Sequence, residues 1–430
     1  IEFREVGHWC KIFVLSLSSN LKRVNNLETL AGGLRLVTEP MTDVRSVTIG
    51  VWLARGSRHE SDAESGIAHF VEHMLFKGTA TRSAQAIAEA IDSVGGQLDA
   101  FTAKEYAAYY IRVLDEHLPI AVELLADMVM HPAMAPEDVV KEQSVILEEI
   151  KMVEDAPDDL VHEVFTRHFW SDHPLGRPIL GTPETVSSFS SDSLRKYFAR
   201  TYTAPNLIVA AAGNFDRQHL RDLVARAFAD VPAETPAFPT AAPNVFRGLT
   251  VRHKDIEQSH VCLGTGALAQ GHDDRHVAYV LNTILGGSMS SRLFQHIREE
   301  RGLAYAVFSN LTSYSDAGML TVYAGCAADK VGDVVDLTLA ELRGLRETSV
   351  TPEELRRAKD HLKGSLMLSL ESTSSRMSHL ARQELYFTRH YTMDETLASI
   401  ERVSVEDVRR VATDMFRDDQ LSATIVALSW

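Results

Sequence analysis

No apolar run in this chain approaches the roughly 18 residues needed to cross a bilayer; the longest are short stretches such as residues 207–212. A helical membrane span is therefore not expected. Cysteine is scarce. Cys10, Cys262 and Cys326 are odd in number and far apart, which supports neither a disulfide framework nor a cysteine metal cluster and points to a reducing compartment. Positive charge is in deficit as well, 43 Lys and Arg standing against 59 Asp and Glu for a formal charge of −16. Phosphate binding rests on clustered cations, so no nucleic-acid surface is expected, while cationic peptides suit such a chain. What is present is a globular composition, 45% apolar and 24% charged in 430 residues, enough for about two or three domains.

Proline is thinly spread except between residues 232 and 243, where PAETPAFPTAAP carries four of the 14 and shows neither helical nor strand period. The chain accordingly divides into an N-terminal extension of unassigned role (1–26), a first domain (27–229), a Pro-rich linker (230–245) and a second domain (246–430). The extension has one apolar patch, residues 12–17, too short for a signal sequence. The two domains repeat one pattern: residues 67–76, IAHFVEHMLF, align with residues 277–286, VAYVLNTILG, so that His69, Glu72 and His73 become Tyr279, Asn282 and Thr283. Downstream, Pro136-Glu137-Asp138 matches Pro352-Glu353-Glu354, each a proline in a first helical turn followed by acids that suit the helix dipole, and Glu149 is matched by Ser365. In the first half, residues 34–38, 46–53, 97–102 and 106–113 read as strands, and residues 66–76, 118–130 and 136–153 as helices. The expected fold is α+β: two homologous domains, each a mainly antiparallel sheet covered on one face by helices.

The sharpest chemical signal is His69-Phe70-Val71-Glu72-His73. On a helix, Ile67, Phe70, Val71, Met74 and Leu75 form the buried stripe, and the two histidines and Glu72 fall on another face. Imidazoles one turn apart can converge on one zinc ion, and Glu72 lies where it can take a proton from water. A catalytic zinc needs a third protein ligand. The helix after Pro136 offers Glu142 and Glu149, two turns apart on one face, and spacing alone does not choose between them.

The inverted His-x-x-Glu-His motif, with 75 residues between His73 and Glu149 and a further glutamate at 142, resembles the pitrilysin or insulinase family of metallopeptidases. The likeness runs from about residue 27 to the C-terminus and is nearest to the two-domain branch of bacterial processing proteases and the mitochondrial processing peptidase β chain. It implies Zn2+ held by His69, His73 and Glu149, Glu72 as general base, and Glu142 as an orienting neighbour of a ligand. It also implies that Arg298 and Tyr305, in the run 286–305, bind substrate backbone and stabilise the tetrahedral oxyanion. The strand carrying Asp99, Ala100 and Phe101 is similar to the family's edge strand, which pairs with extended substrate; many members have Asn where this chain has Asp99. Asp159 and Glu163 stand like an acidic pair that reads an arginine near the cut. His272 and His276 also have ligand spacing, but no distant carboxylate completes a site, and they read as surface histidines.

The function expected is a zinc endopeptidase acting on unfolded or short, basic polypeptides, with no organic cofactor. Two such units close on one another in the family, which implies a homodimer with shared active sites. The resemblance also implies the bacterial cytoplasm as location, ahead of the mitochondrial matrix or export. The alternative is a non-catalytic structural or partner subunit of the same fold; another is an acidic chamber that holds cationic peptides without cutting them.

Overall fold

The computed structural model describes residues 26–234, 241–387 and 389–428; residues 1–25, Cys10 among them, and residues 235–240 of the proline-rich stretch lie outside that description. The first sheet is built from β1 (Asn26–Thr29), β2 (Arg35–Pro40), β3 (Ser46–Leu53), β4 (Gln97–Thr102), β5 (Ala107–Leu114) and β6 (Leu207–Gly213), in the order β1-β2-β6-β3-β5-β4. The second contains β7 (Gly248–His253), β8 (Ser259–Ala267), β9 (Ala304–Ser313), β10 (Gly318–Cys326) and β11 (Ser422–Ala427), in the order β7-β11-β8-β10-β9. Among the described strands only β2 with β6 and β7 with β11 run parallel. The fold is thus α+β with two mainly antiparallel sheets, as the patterning predicts.

Seven helices shape the site: α1 (Ile67–Leu75), α2 (Leu118–Met130), α3 (Pro136–Asp155), α4 (Pro157–Phe169), α5 (Arg275–Leu285), α6 (Pro352–Ser369) and α7 (Thr373–Tyr386). Strand alternation sends Val47, Ile49, Val51 and Leu53 of β3 into one core with Phe70 and Met74 of α1 and Leu125 of α2. In the second half Val261, Leu263, Leu320 and Val322 meet Leu281 and Leu285 of α5 in the same way.

Each sheet's second face carries in addition a helix from the opposite half, which the sequence does not disclose. Leu160, Val161, Val164 and Phe165 of α4 pack on Cys262, Met319, Tyr323 and Val426 of the second sheet. Reciprocally, Met377, Leu380 and Ala381 of α7 pack on Val37, Trp52, Ala108 and Ala210 of the first. Polar contacts follow: Thr48 Oγ1 lies 2.9 Å from Thr373 Oγ1, and the Trp52 indole N–H points at Met377 Sδ, 3.0 Å away. The tightest tie is Arg58, whose side chain is 1% exposed and pairs with Glu105 and Asp316, each at 2.6 Å. Asp316 lies between β9 and β10, so this buried cation joins the halves. The exchange brings β4 and β9, an edge strand of each sheet, to the walls of one cleft.

Candidate active site

Helix α1 starts where the chain turns sharply. Gly66 has φ +95°, a region that favours glycine, and a Cβ there would come within 2.7 Å of Gly181 Cα, so no other residue fits without moving the neighbouring loop. The first-turn amides of Gly66 and Ala68 donate to the buried Glu60 carboxylate at 2.9 and 2.8 Å, which anchors the helix end. Burial pushes the Glu60 carboxyl up to about 8 against the opposing pull of those two amides. Ile67, Phe70, Val71, Met74 and Leu75 are buried, which leaves His69, Glu72 and His73 facing the cleft.

Donor atoms of His69, His73 and Glu149 all lie within 4.8 Å of one another. Glu149 Oε2 is 3.7 Å from His69 Nε2 and 3.6 Å from His73 Nε2. Tetrahedral ligands at about 2.0–2.1 Å from a zinc ion stand about 3.3–3.4 Å apart, so two imidazoles and one carboxylate in this arrangement suit that metal. Of the two candidate carboxylates on α3, Glu142 and Glu149, it is Glu149 that joins the histidines. Glu142 turns instead to His73 Nδ1, 2.9 Å away, which directs the Nε2 lone pair towards Glu149, and Lys77 Nζ holds its other oxygen at 2.7 Å. His69 has no such support: among the described residues its buried Nδ1 has no hydrogen-bond partner. Burial, with His73 beside it, lowers the His69 imidazole to about 3, so the ring is a neutral donor.

Glu72 is part-buried and accepts a short hydrogen bond from the Thr102 hydroxyl at the end of β4. Burial raises its pKa, the Thr102 bond and His73 opposing. The duplicated half keeps the same brace with an amide in place of the acid: Asn282 Oδ1 accepts from Ser309 Oγ on β9 at 2.8 Å.

The cleft beside these groups has a volume of about 740 Å³ and is walled by both halves, with His69, Glu72, Phe101, Asp159 and Glu163 on one side and Phe308 and Asn310 on the other. A smaller recess of about 230 Å³ takes in Glu72, His73, Asp99, Ala100 and Glu142. Asp99 is exposed on β4. Its Oδ1 accepts the Ala100 N–H at 2.8 Å, and its Oδ2 accepts from Tyr110 OH at 3.0 Å. The carboxylate therefore covers a main-chain donor on the open edge.

Arg298 and Tyr305 meet each other, the guanidinium lying 5.0 Å from the Tyr305 ring centre. They do not join His69, His73 and Glu149: neither lines the cleft or the recess, and Tyr305 is 78% exposed. Of the two histidines read as surface residues, His272 is exposed, but His276 lines a cavity between the halves because α7 closes over it. That expectation is corrected for His276. Thr102, Lys77 and Glu60 are contacts that sequence reasoning misses. Lys77, four positions beyond His73 and just past the end of α1, was the one close in sequence to the motif.

A family model described as Insulinase (Peptidase family M16) matches residues 35–183, and one described as Peptidase M16 inactive domain matches residues 188–362. The chain is 45% identical to the uncharacterized zinc protease YmxG of Bacillus subtilis over 92% of its own length and 97% of that protein. It is 44% identical to an uncharacterized zinc protease of Streptomyces coelicolor over 90% and 86% respectively. This chain belongs to the pitrilysin/insulinase family, peptidase family M16. In fold it is similar to a protease from Helicobacter pylori, at a TM-score of 0.87 and 23% identity over 94% of this chain and 99% of that one. It is similar too to a Pseudomonas fluorescens structure described as a peptidase M16 inactive domain, at a TM-score of 0.89 and 19% identity over 95% and 98%.

Proposed function

We propose that this chain is a zinc-dependent endopeptidase cleaving unfolded or short polypeptides, with His69, His73 and Glu149 as metal ligands and Glu72 as general base. The observation that carries this is the convergence of two imidazoles and a carboxylate within 4.8 Å, with a second carboxylate on the same helix left free of them. Bacterial relatives named zinc proteases, aligned over nearly their whole length, support it. The inactive-domain description attaches to residues 188–362, the half in which Tyr279, Asn282 and Thr283 replace the motif, and so does not favour a non-catalytic subunit.

Zinc, when bound, supplies a Lewis acid that polarises the scissile carbonyl and lowers the pKa of water towards about 7. The open edge of β4 offers main-chain hydrogen bonds to an extended peptide, a mode indifferent to most side chains. Glu72, held by Thr102, takes a proton from water as its oxygen bonds to the carbonyl carbon, and returns it to the amine as the C–N bond breaks. Asp159 and Glu163 present carboxylates in the cleft to a basic residue near the cut. In a homodimer the outward Arg298–Tyr305 pair serves the oxyanion of the other subunit's site; its exposure and its place outside its own cleft support this.

The test is metal content with peptide hydrolysis. His73→Ala and Glu149→Gln should lose zinc and activity together, and a chelator should abolish parent activity until zinc is restored. Full zinc occupancy in both variants would show the ligand assignment to be wrong.

A further inference from the structure

Beyond the cleft lies a cavity that none of this chemistry uses. It has a volume of about 730 Å³, sits between α5, α6 and α7 and the first sheet, and is floored by apolar groups such as Leu366, Leu370 and Ile400. In a chain of net charge −16, no carboxylate among the described residues lines it. Its charged walls are Arg275 and Arg382, with His276 and His379 beside them and four serines around. The Arg275 guanidinium is stacked 5.0 Å from the Phe387 ring centre and 4.7 Å from that of Tyr391, with one N–H on the His272 carbonyl at 3.3 Å. Arg382 is exposed. Among the described residues neither guanidinium forms an ion pair with a carboxylate. Burial first, then neighbouring arginines, lowers both imidazoles to about 4, as befits a spot already crowded with positive charge.

The cavity also neighbours the cleft through residues that line both it and an intervening cavity. A middle cavity of about 430 Å³ shares Thr102, Lys104 and Asn310 with the cleft at Glu72, and shares Gln270, Tyr279 and Arg382 with the cationic cavity. The three cavities thus lie in a row along the seam between the halves, from the Glu72 cleft to Arg382.

We propose that the Arg275–Arg382 cavity is a remote subsite that captures a carboxylate, flanked by apolar residues, on the same polypeptide whose scissile bond lies at Glu72. The inference rests on the endopeptidase reading and extends it. The preferred substrate has two poles, basic where Asp159 and Glu163 face it and acidic where it reaches the arginines. An apolar floor with two guanidiniums in its walls fits such a segment better than an inorganic anion, which would bury no hydrocarbon. The carboxylate can be the chain terminus or an Asp or Glu side chain.

Binding, which needs no turnover, tests this directly. Fluorescent peptides share one cut-site core and an apolar tail, with a Glu or Gln at several distances from the core and a free or amidated C-terminus. Fluorescence anisotropy is read with the zinc-loaded Glu72→Gln protein, and hydrolysis with the parent. The peptide lacking both carboxylates should bind at least tenfold more weakly than the best acidic one. Loss on amidation alone assigns the terminus, and loss on Glu-to-Gln exchange alone assigns the side chain. Arg382→Gln, at an exposed position, should shrink the acidic preference at least threefold, and Arg275→Gln with Arg382→Gln should remove it. Equal binding of all peptides, or a preference undiminished by Arg382→Gln, overturns the subsite. An acid preference that depends on Arg382 in a parent that hydrolyses nothing would sustain the subsite and sink the endopeptidase reading.

Discussion

Glu142 decides how His73 is used. Its carboxylate sits on Nδ1 at 2.9 Å and is itself held by Lys77, so the imidazole arrives with its other nitrogen aimed at Glu149. Removing the charge without changing the shape, as in Glu142→Gln, should weaken zinc affinity about 10- to 100-fold while leaving the fold intact; a competition titration with a zinc chelator measures it. An unchanged affinity would reduce Glu142 to a structural acid. At this scale the motif was legible because helical periodicity alone puts His69, Glu72 and His73 on one face. Spacing did not choose Glu149 over Glu142, since both share a face of α3; the family resemblance did, and the packing of α3 against α1 brings Glu149 to the two histidines and Glu142 to His73 Nδ1. The Thr102 brace on Glu72 joins residues 30 apart where α1 packs against the end of β4, and no periodic signal marks it.

Among the elements, β4 carries the next test. Strand alternation and its place before β5 made it readable as a strand, and it lies at the edge of its sheet. What the sequence does not show is that Asp99 occupies the Ala100 N–H on that edge, fastened by Tyr110. Asp99→Ala should free the donor and lower KM several-fold for an extended neutral peptide, where loss of a carboxylate forfeits no charge attraction; steady-state kinetics decides it. A raised KM would mean that the carboxylate itself holds substrate. The exchange of α4 and α7 between halves was hidden for a different reason. Each shows an ordinary apolar stripe, and a stripe says that a helix is buried, not which sheet buries it.

For the whole molecule, that exchange makes the two halves interdependent. Arg58, 1% exposed, holds Glu105 of its own half and Asp316 across the join, so Arg58→Met takes the cation from two acids and should cost on the order of 3–5 kcal/mol in urea denaturation. A loss below about 1 kcal/mol would mean that the join does not depend on the pair. Stability should also be sensitive to acid. His379 on α7 is held neutral, its pKa lowered from 6.5 to about 4 chiefly by burial, so the unfolded chain binds the proton more readily. Its contribution is complete above about pH 6.5 and is lost as pH falls towards 4, and His379→Gln should flatten that part of the melting-temperature profile. The proposed chemistry turns on Glu72, and one paired measurement on the intact protein addresses it: zinc content and peptide hydrolysis of parent and Glu72→Gln. The amide leaves His69, His73 and Glu149 in place, so the variant should keep its zinc and lose nearly all hydrolysis. A variant with full zinc that turns over at near the parent rate would contradict Glu72 as the base.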